Sequence, residues 1–175
     1  MSTDEQVANE PVWIVPYDPA WPARFEAEKA LLEQAIGPWV TGGIHHVGST
    51  AVPGLAAKPV IDILVGVKDL ASSRACFGKL AALGYQYAPY RTDEMHWFCK
   101  PNPAHRTHHL HLVATGSRRY REELVFPDIL RARPDLAQRY QALKQKLASE
   151  HHHDREAYTK AKQAFIAGAL ASDGA

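Results

Sequence analysis

The chain has 175 residues, of which 46% are hydrophobic, with 20 basic and 19 acidic side chains and two cysteines. This length supports one domain whose core needs no staples, and the near-zero net charge gives no global field for nucleic acid or an anionic membrane. Cys76, on a predicted helix, and Cys99, near a predicted strand end, form no disulfide framework. With no leader-like segment or long apolar span, the expected setting is the reducing cytoplasm, with neither a membrane nor nucleic acid as partner.

Residues 1–10 are polar and aperiodic and are expected to be disordered, leaving residues 11–171 as a single domain; the last residues, 171–175, are expected to fray as well. Residues 12–15 are a short strand candidate, closed by the turn-prone Pro16-Tyr17-Asp18-Pro19. Phe25, Leu32, Ala35 and Ile36 predict a helix over residues 21–36, ended by Gly37-Pro38. Residues 44–47 predict a strand leading to a Gly48-Ser49-Thr50 turn. Residues 60–67 are apolar apart from Asp62 and predict a central strand buried on both faces. A helix is expected over residues 69–83, with Cys76, Phe77, Leu80 and Leu83 on one side and Gly84 stopping it. Strands are expected over 85–90, 95–100 and 107–114, with Pro101-Asn102-Pro103 breaking the last connection. Beyond Gly116 the pattern is helical: one segment with Tyr120 and Leu124, broken or kinked by Pro127, then a helix started by Pro134 and striped by Leu136, Tyr140, Leu143 and Leu147. A third helix is expected with Asp154 as N-cap and Tyr158, Ala161 and Phe165 on its face. His151-His152-His153 reads as the solvated connection before it.

Asp62 is the first candidate for chemistry, because a carboxylate inside an apolar strand is costly to bury unless something binds it, and a metal is a common partner. The Gly48-Ser49-Thr50 turn just upstream offers backbone N–H groups and two hydroxyls, as a phosphate requires. Alone, such a tripeptide commonly just makes a turn. The competing reading of Asp62 is a buried acid that hydrogen-bonds a neighbouring loop. His109 and His111 alternate on a strand, so their imidazoles share a face, which suits metal chelation. The competing reading is an exposed strand face backed by Leu110 and Leu112. Lys58 and Arg106 can each meet a phosphate or serve as an ordinary cation at a strand end. His46 either orients the turn or fills a buried polar position. The tryptophans are expected to pack, with Trp97 alternatively stacking on a planar substrate. The basic groups at 118–121 and 131–133 are interleaved with Glu122, Glu123 and Asp128 and read as solvated helix faces or a modest anion patch rather than a nucleic-acid groove.

The run from His46 to Leu55, with Lys58-Pro59-Val60-Ile61-Asp62-Ile63, resembles the GrpB family. The likeness extends to residues 15–22, 106–112 and 154–162, in the family's order. It implies an α+β, nucleotidyltransferase-like fold, a mixed β-sheet flanked by helices with a C-terminal helical segment packed on it. It also implies a site template: a Gly-Ser turn, then a strand with two alternating carboxylates that hold Mg²⁺ or Mn²⁺ against a triphosphate. Gly48, Ser49, Thr50 and Asp62 fit this template, whereas the second carboxylate position holds Leu64. The last block contributes Tyr158 as a helix anchor and Lys160 as a cation able to reach a substrate.

The resemblance leads to an expected nucleotidyltransferase-like enzyme that binds a nucleotide or phosphorylated ligand and a divalent metal, transferring a nucleotidyl or related group to a small acceptor. Asp62, His109 and His111 are its expected catalytic and metal-binding residues, and Gly48, Ser49, Thr50, Lys58, Arg106 and Lys160 its phosphate contacts. Leu64 keeps two alternatives open. One is a mononuclear Asp62, His109, His111 centre, favouring Zn²⁺, Mn²⁺ or Fe²⁺. The other is a non-catalytic binding or accessory module, as in fusions of GrpB-like domains to a coenzyme A biosynthetic kinase. No residue names a substrate or acceptor, and none sets an oligomeric state.

Overall fold

The computed structural model describes residues 11–173, so the expectation for residues 1–10 falls outside it. Helix α1 (Trp21–Ile36) has Pro22 in its first turn and buries Trp21, Phe25, Leu32 and Ile36, with Glu28 as the charged member of that face. The remaining elements are β1 (Val40–Val47), β2 (Ile61–Val67), α2 (Leu70–Ser73), α3 (Phe77–Ala82), β3 (Gln86–Tyr87), β4 (His96–Asn102), β5 (His105–Ala114), α4 (Arg118–Ala132), α5 (Pro134–Glu150) and α6 (Arg155–Asp173). The five strands form one mixed sheet in the order β1-β2-β5-β4-β3. Only β2 and β5 are parallel.

Alternation along the strands divides the core. Ile61, Ile63, Val65 and Val67 of β2 join Leu110 and Leu112 of β5 and Phe98 of β4 against α1 and against Cys76 and Leu80. On the opposite face, Val47, Leu64, Met95 and Val113 pack beneath Tyr120 and Leu124 of α4. The three C-terminal helices then close around the loop after β1: Val52 and Leu55 meet Phe126, Ile129, Leu130, Leu136, Tyr140 and Ala169. The α+β architecture with a C-terminal helical segment on a mixed sheet is therefore as expected.

Several local expectations change. Residues 12–15 do not form a strand; Val15 makes one isolated bridge to Ala57, because Pro11 and Pro16 flank a stretch too short to build a ladder. The helix expected over residues 69–83 is three short pieces, α2, capped by Asp69, a 3₁₀ turn at Arg74–Cys76, and α3, although Cys76 and Leu80 are buried as expected. The strand expected at 85–90 shrinks to Gln86–Tyr87, with Pro89 just beyond it. Pro101 and Asn102 lie within β4 rather than outside it. Pro127 is buried inside α4, which continues to Ala132; the packing of Phe126, Ile129 and Leu130 outweighs the hydrogen bond that proline cannot donate. Helix α6 runs through residues 171–173 instead of fraying there. Asp154 caps it, its Oδ1 accepting from the Ala157 N–H at 3.0 Å, and residues 151–153 form the preceding turn.

Glu28 anchors α1 to the sheet. Its Oε1 accepts from the Tyr85 hydroxyl at 2.7 Å and pairs with Lys100 Nζ at 2.5 Å. Glu28→Ala strands a buried hydroxyl and an ammonium together, and is expected to cost about 2–4 kcal/mol in urea unfolding. A loss below roughly 0.5 kcal/mol would show that solvent replaces Glu28 there.

Candidate functional site

The turn between β1 and β2 is built for close approach. Gly48 has φ +72°, and a Cβ at this position would collide with Asp62 Oδ2. Glycine is thus required both for the backbone and for the carboxylate beside it. Ser49–Ala51 form a 3₁₀ turn. Thr50 is buried and turned toward His46, whose Nε2 lies 2.8 Å from its Oγ1. Phe25 stacks on that imidazole at 4.9 Å. Arg131 donates from Nε and NH2 to the Ala51 carbonyl at 3.2 and 2.7 Å, and Tyr140 is hydrogen-bonded with Ser49. His46 therefore orients the turn, and Arg131 and Tyr140 fasten it from the helices.

Asp62 and His109 are in register across the parallel β2–β5 pair, so they share a face. Asp62 Oδ1 accepts from His109 Nδ1 at 3.0 Å. Burial alone would raise the Asp62 pKa, but the His109 bond and the His111 and Lys58 charges hold it well below the usual carboxylate range. Burial pulls His109 down to about 4 despite Asp62. Asp62 is thus ionised and His109 neutral near pH 7, which puts the ring proton on Nδ1. His109 Nε2 is buried with no hydrogen-bond partner among the described residues. His111, on the same face, places Nδ1 3.0 Å from both Glu123 oxygens. Burial lowers its pKa, but Glu123 outweighs this and raises it. Glu123 is also held by Arg119 Nε at 2.9 Å.

Cations surround this pair. Lys58 and Lys162 lie over the Tyr158 ring, 5.1 and 4.8 Å from its centroid, and Lys144 lies 5.0 Å from that of Tyr140. Lys144 also donates to the Ala56 carbonyl. Burial and then Lys162 pull Lys144 down to about 7, and burial with Arg155 takes Lys162 to about 8. Burial, Lys162 and Arg155 drive Lys58 well below the ordinary lysine range. All three feel the Asp62 charge, which favours their protonation. One carboxylate does not balance these lysines, and an anion would.

The donor set does not fit a divalent ion held by the protein alone. Leu64, in the second carboxylate position, is fully buried in the Val47, Met95, Val113 cluster. Asp62 Oδ1 is a hydrogen-bond partner of His109, and His111 Nδ1 belongs to Glu123. Among the described residues, no group of three or more His, Cys, Asp and Glu side chains is arranged to hold a metal. Mg²⁺ favours a cluster of hard oxygen donors, whereas Asp62 stands among ammonium groups.

The structure brings Gly48, Ser49, Lys58, Asp62, His109 and His111 to one face, while Thr50 turns inward. Arg106 instead donates to the Pro103 carbonyl at 2.9 Å and lies 5.1 Å over Trp97, whose ring is 5.0 Å from that of His109. Lys160 is exposed, outside the cluster; the lysine of that block that joins it is Lys162. Sequence reading passed over Lys144 and Lys162, and it read Glu123 and Arg131 as parts of solvated helix faces, whereas Glu123 turns inward to His111 and Arg131 to the Ala51 carbonyl. Lys144 carried a signal, since it lies four residues after Tyr140 and three before Leu147, on the buried stripe of α5.

The mixed sheet with its flanking helices, and a Gly-Ser turn feeding an acid-bearing strand, is similar in fold to nucleotidyltransferases of known structure. The Cid1 poly(U) polymerase structure with MgGTP bound has a TM-score of 0.51 at 14% identity, covering 78% of this chain and 44% of that one. The GLD-2/RNP-8 complex structure has 0.55 at 14%, covering 90% and 60%. At such identity the likeness is one of fold. The chain belongs to the GrpB family, whose model, described as GrpB protein, matches residues 11–172. The crystal structure of GrpB from Enterococcus faecalis has a TM-score of 0.82 at 30% identity, covering 93% of this chain and all of that one, 100%. A UPF0157 protein of Pseudomonas aeruginosa is 42% identical over 90% of this chain, which spans 65% of that relative's length. The chain spans 45% of Bacillus subtilis YqkA, also a UPF0157 protein, at 33% identity. A dephospho-CoA kinase of Mycolicibacterium paratuberculosis is 31% identical over 92% of this chain and 46% of the kinase.

Stability should follow the depressed pKa values. Unfolding returns Lys144 and Lys162 from about 7 and 8 to about 10.5, so above pH 7 the unfolded chain binds more protons and stability rises with pH. His46 and His109, near 4 when folded and 6.5 otherwise, add a loss as pH falls from 6.5 to 4. Urea midpoints should therefore climb from pH 4 to about pH 9, and pyrophosphate should flatten the part above neutrality by keeping the lysines charged. A midpoint that peaks near neutrality, with or without pyrophosphate, contradicts this site.

Proposed function

We propose that this protein is a transferase-class enzyme acting on a phosphorylated small molecule of the nucleotide kind. The ligand's phosphates rest on Lys58, Lys144 and Lys162 beside the Ser49 turn, and its reacting phosphorus faces the Asp62–His109 pair, from which it passes to a small acceptor. The observation that carries this reading is the gathering of three lysines, Lys144 buried and Lys58 and Lys162 half-buried against the Tyr158 ring, around the Asp62 carboxylate, at the turn where the nucleotidyltransferase-like fold presents phosphate-binding backbone. The MgGTP bound to Cid1 is consistent with a nucleotide ligand. The ligand brings charge to lysines that are costly to bury without it. No metal ion resident on the protein is part of the proposal, because Leu64 replaces the second carboxylate. Cys76 and Cys99 are both buried as thiols rather than joined in a disulfide, which suits a cytoplasmic setting. No helix among the described residues is long and apolar enough to cross a membrane.

A second reading keeps the pocket but removes turnover. Leu64 favours it, as does the likeness to a dephospho-CoA kinase of which this chain spans 46%, where such a region would serve an accessory role.

Calorimetric titration with ATP, ADP and pyrophosphate, with chelator and again with Mg²⁺ or Mn²⁺, tests the binding claim. Lys162→Ala should weaken binding at least tenfold, about 1.4 kcal/mol. Equal affinity in wild type and variant would remove the lysine cluster from phosphate recognition. Bound nucleotide that is never consumed, even with a cell-derived pool of small acceptors, would select the accessory reading.

A further inference from the structure

We propose that His109 Nε2 is a nucleophile that accepts the phosphorus group from the ligand, forming a covalent phosphoramidate on its imidazole. The inference rests on the phosphorylated-ligand reading above and deepens it. Four observations converge on this atom. Asp62 Oδ1 receives the Nδ1 proton at 3.0 Å, which fixes the tautomer and leaves the Nε2 lone pair bare. Nε2 itself is buried and has no hydrogen-bond partner among the described residues, which is costly for a nitrogen acceptor without a task. Lys58 and His111 both lie within electrostatic reach of the ring, so positive charge stands beside the position where a phosphoryl group gains negative charge. Finally, Leu64 has replaced the carboxylate that metal-assisted direct transfer would use, so the site needs another way to divide the reaction.

The chemistry balances across two half-reactions. In the first, the Nε2 lone pair forms an N–P bond to the α-phosphorus of a nucleoside triphosphate, and the bond from that phosphorus to the bridging oxygen of the leaving pyrophosphate breaks. The electron pair leaves with that oxygen, which takes a proton from the Nε2 of His111. That imidazole shares the strand face and is held through Nδ1 by Glu123 at 3.0 Å. In the second, an acceptor hydroxyl or amine attacks the same phosphorus and loses its proton to His111. The N–P bond breaks and its electrons return to His109 Nε2. Asp62 stays ionised throughout and stabilises the cationic phosphorylated ring. Trp97 packs beside this imidazole, its ring tilted 52° to that of His109 at 5.0 Å, and Arg106 lies 5.1 Å over the indole.

The test incubates the full chain with each of the four nucleoside triphosphates, ³²P-labelled at the α position, and with γ-labelled ATP, all in chelator. Binding is measured on the same samples by calorimetry. The expected result is label that survives alkali, is lost in mild acid, and maps to His109 by peptide mass spectrometry. His109→Gln should abolish it, while His111→Gln should slow its appearance at least tenfold. Mapping on the wild-type chain needs no variant, so a misfolded His109→Gln does not weaken the test. A nucleotide that binds but leaves no label, or label found only on a lysine, overturns the covalent step while leaving the phosphate reading intact. Absence of binding by every nucleotide overturns both.

Discussion

The hydrogen bond between Asp62 and His109 is the constraint around which the candidate site is arranged. It exists because β2 and β5 are parallel neighbours with these two residues in register, which turns both side chains to one face of the sheet. A carboxylate at that depth is tolerated only with compensation, and His109 supplies the first part of it. The requirement for glycine at position 48 follows directly, since any Cβ there would strike Asp62. The turn geometry, the inward rotation of Thr50 toward His46, and the Arg131 clamp on Ala51 are consequences of seating the turn against that carboxylate.

The C-terminal helices supply what the sheet lacks. Helix α4 brings Glu123 to His111, α5 brings Tyr140 and Lys144, and α6 brings Tyr158 and Lys162. Each lysine lies against an aromatic ring, which offsets part of the desolvation of an ammonium. The remainder stays as a stability cost, visible in the lowered lysine pKa values, and is the kind of tension that a bound anion relieves. The opposite face of the sheet shows the contrast. There Glu28, Tyr85 and Lys100 satisfy one another directly, and the cluster reads as structure.

Much of this was legible in the residues because periodicity reports burial. The alternation of β2 and β5, the stripes of α1 and α5 and the Asp154 cap all appear where the pattern puts them. The pattern misled where tertiary packing or local breakers decided the outcome. Pro127 sits inside a helix because its apolar neighbours are buried, and residues 69–83 split although their apolar stripe is continuous. At the site, same-face alternation correctly brings Asp62 together with the histidines. It does not reveal that neighbours in register hydrogen-bond each other instead of sharing a ligand. Nor can a single lysine within a helix announce that it faces inward: Lys160 and Lys162 are two residues apart, and only the register with Tyr158, four residues before Lys162, separates them.

The most direct test of this account is the nitrogen spectrum of the His109 side chain. In ¹⁵N-labelled protein, a two-bond proton–nitrogen correlation experiment followed over a pH series distinguishes a protonated Nδ1 from a bare Nε2. The Asp62 hydrogen bond predicts the Nδ1–H form, and burial, which outweighs the Asp62 charge, predicts a ring that stays neutral through the physiological range and titrates only near pH 4. A His109 ring protonated on Nε2, or one that titrates at the ordinary value of 6.5, would contradict it.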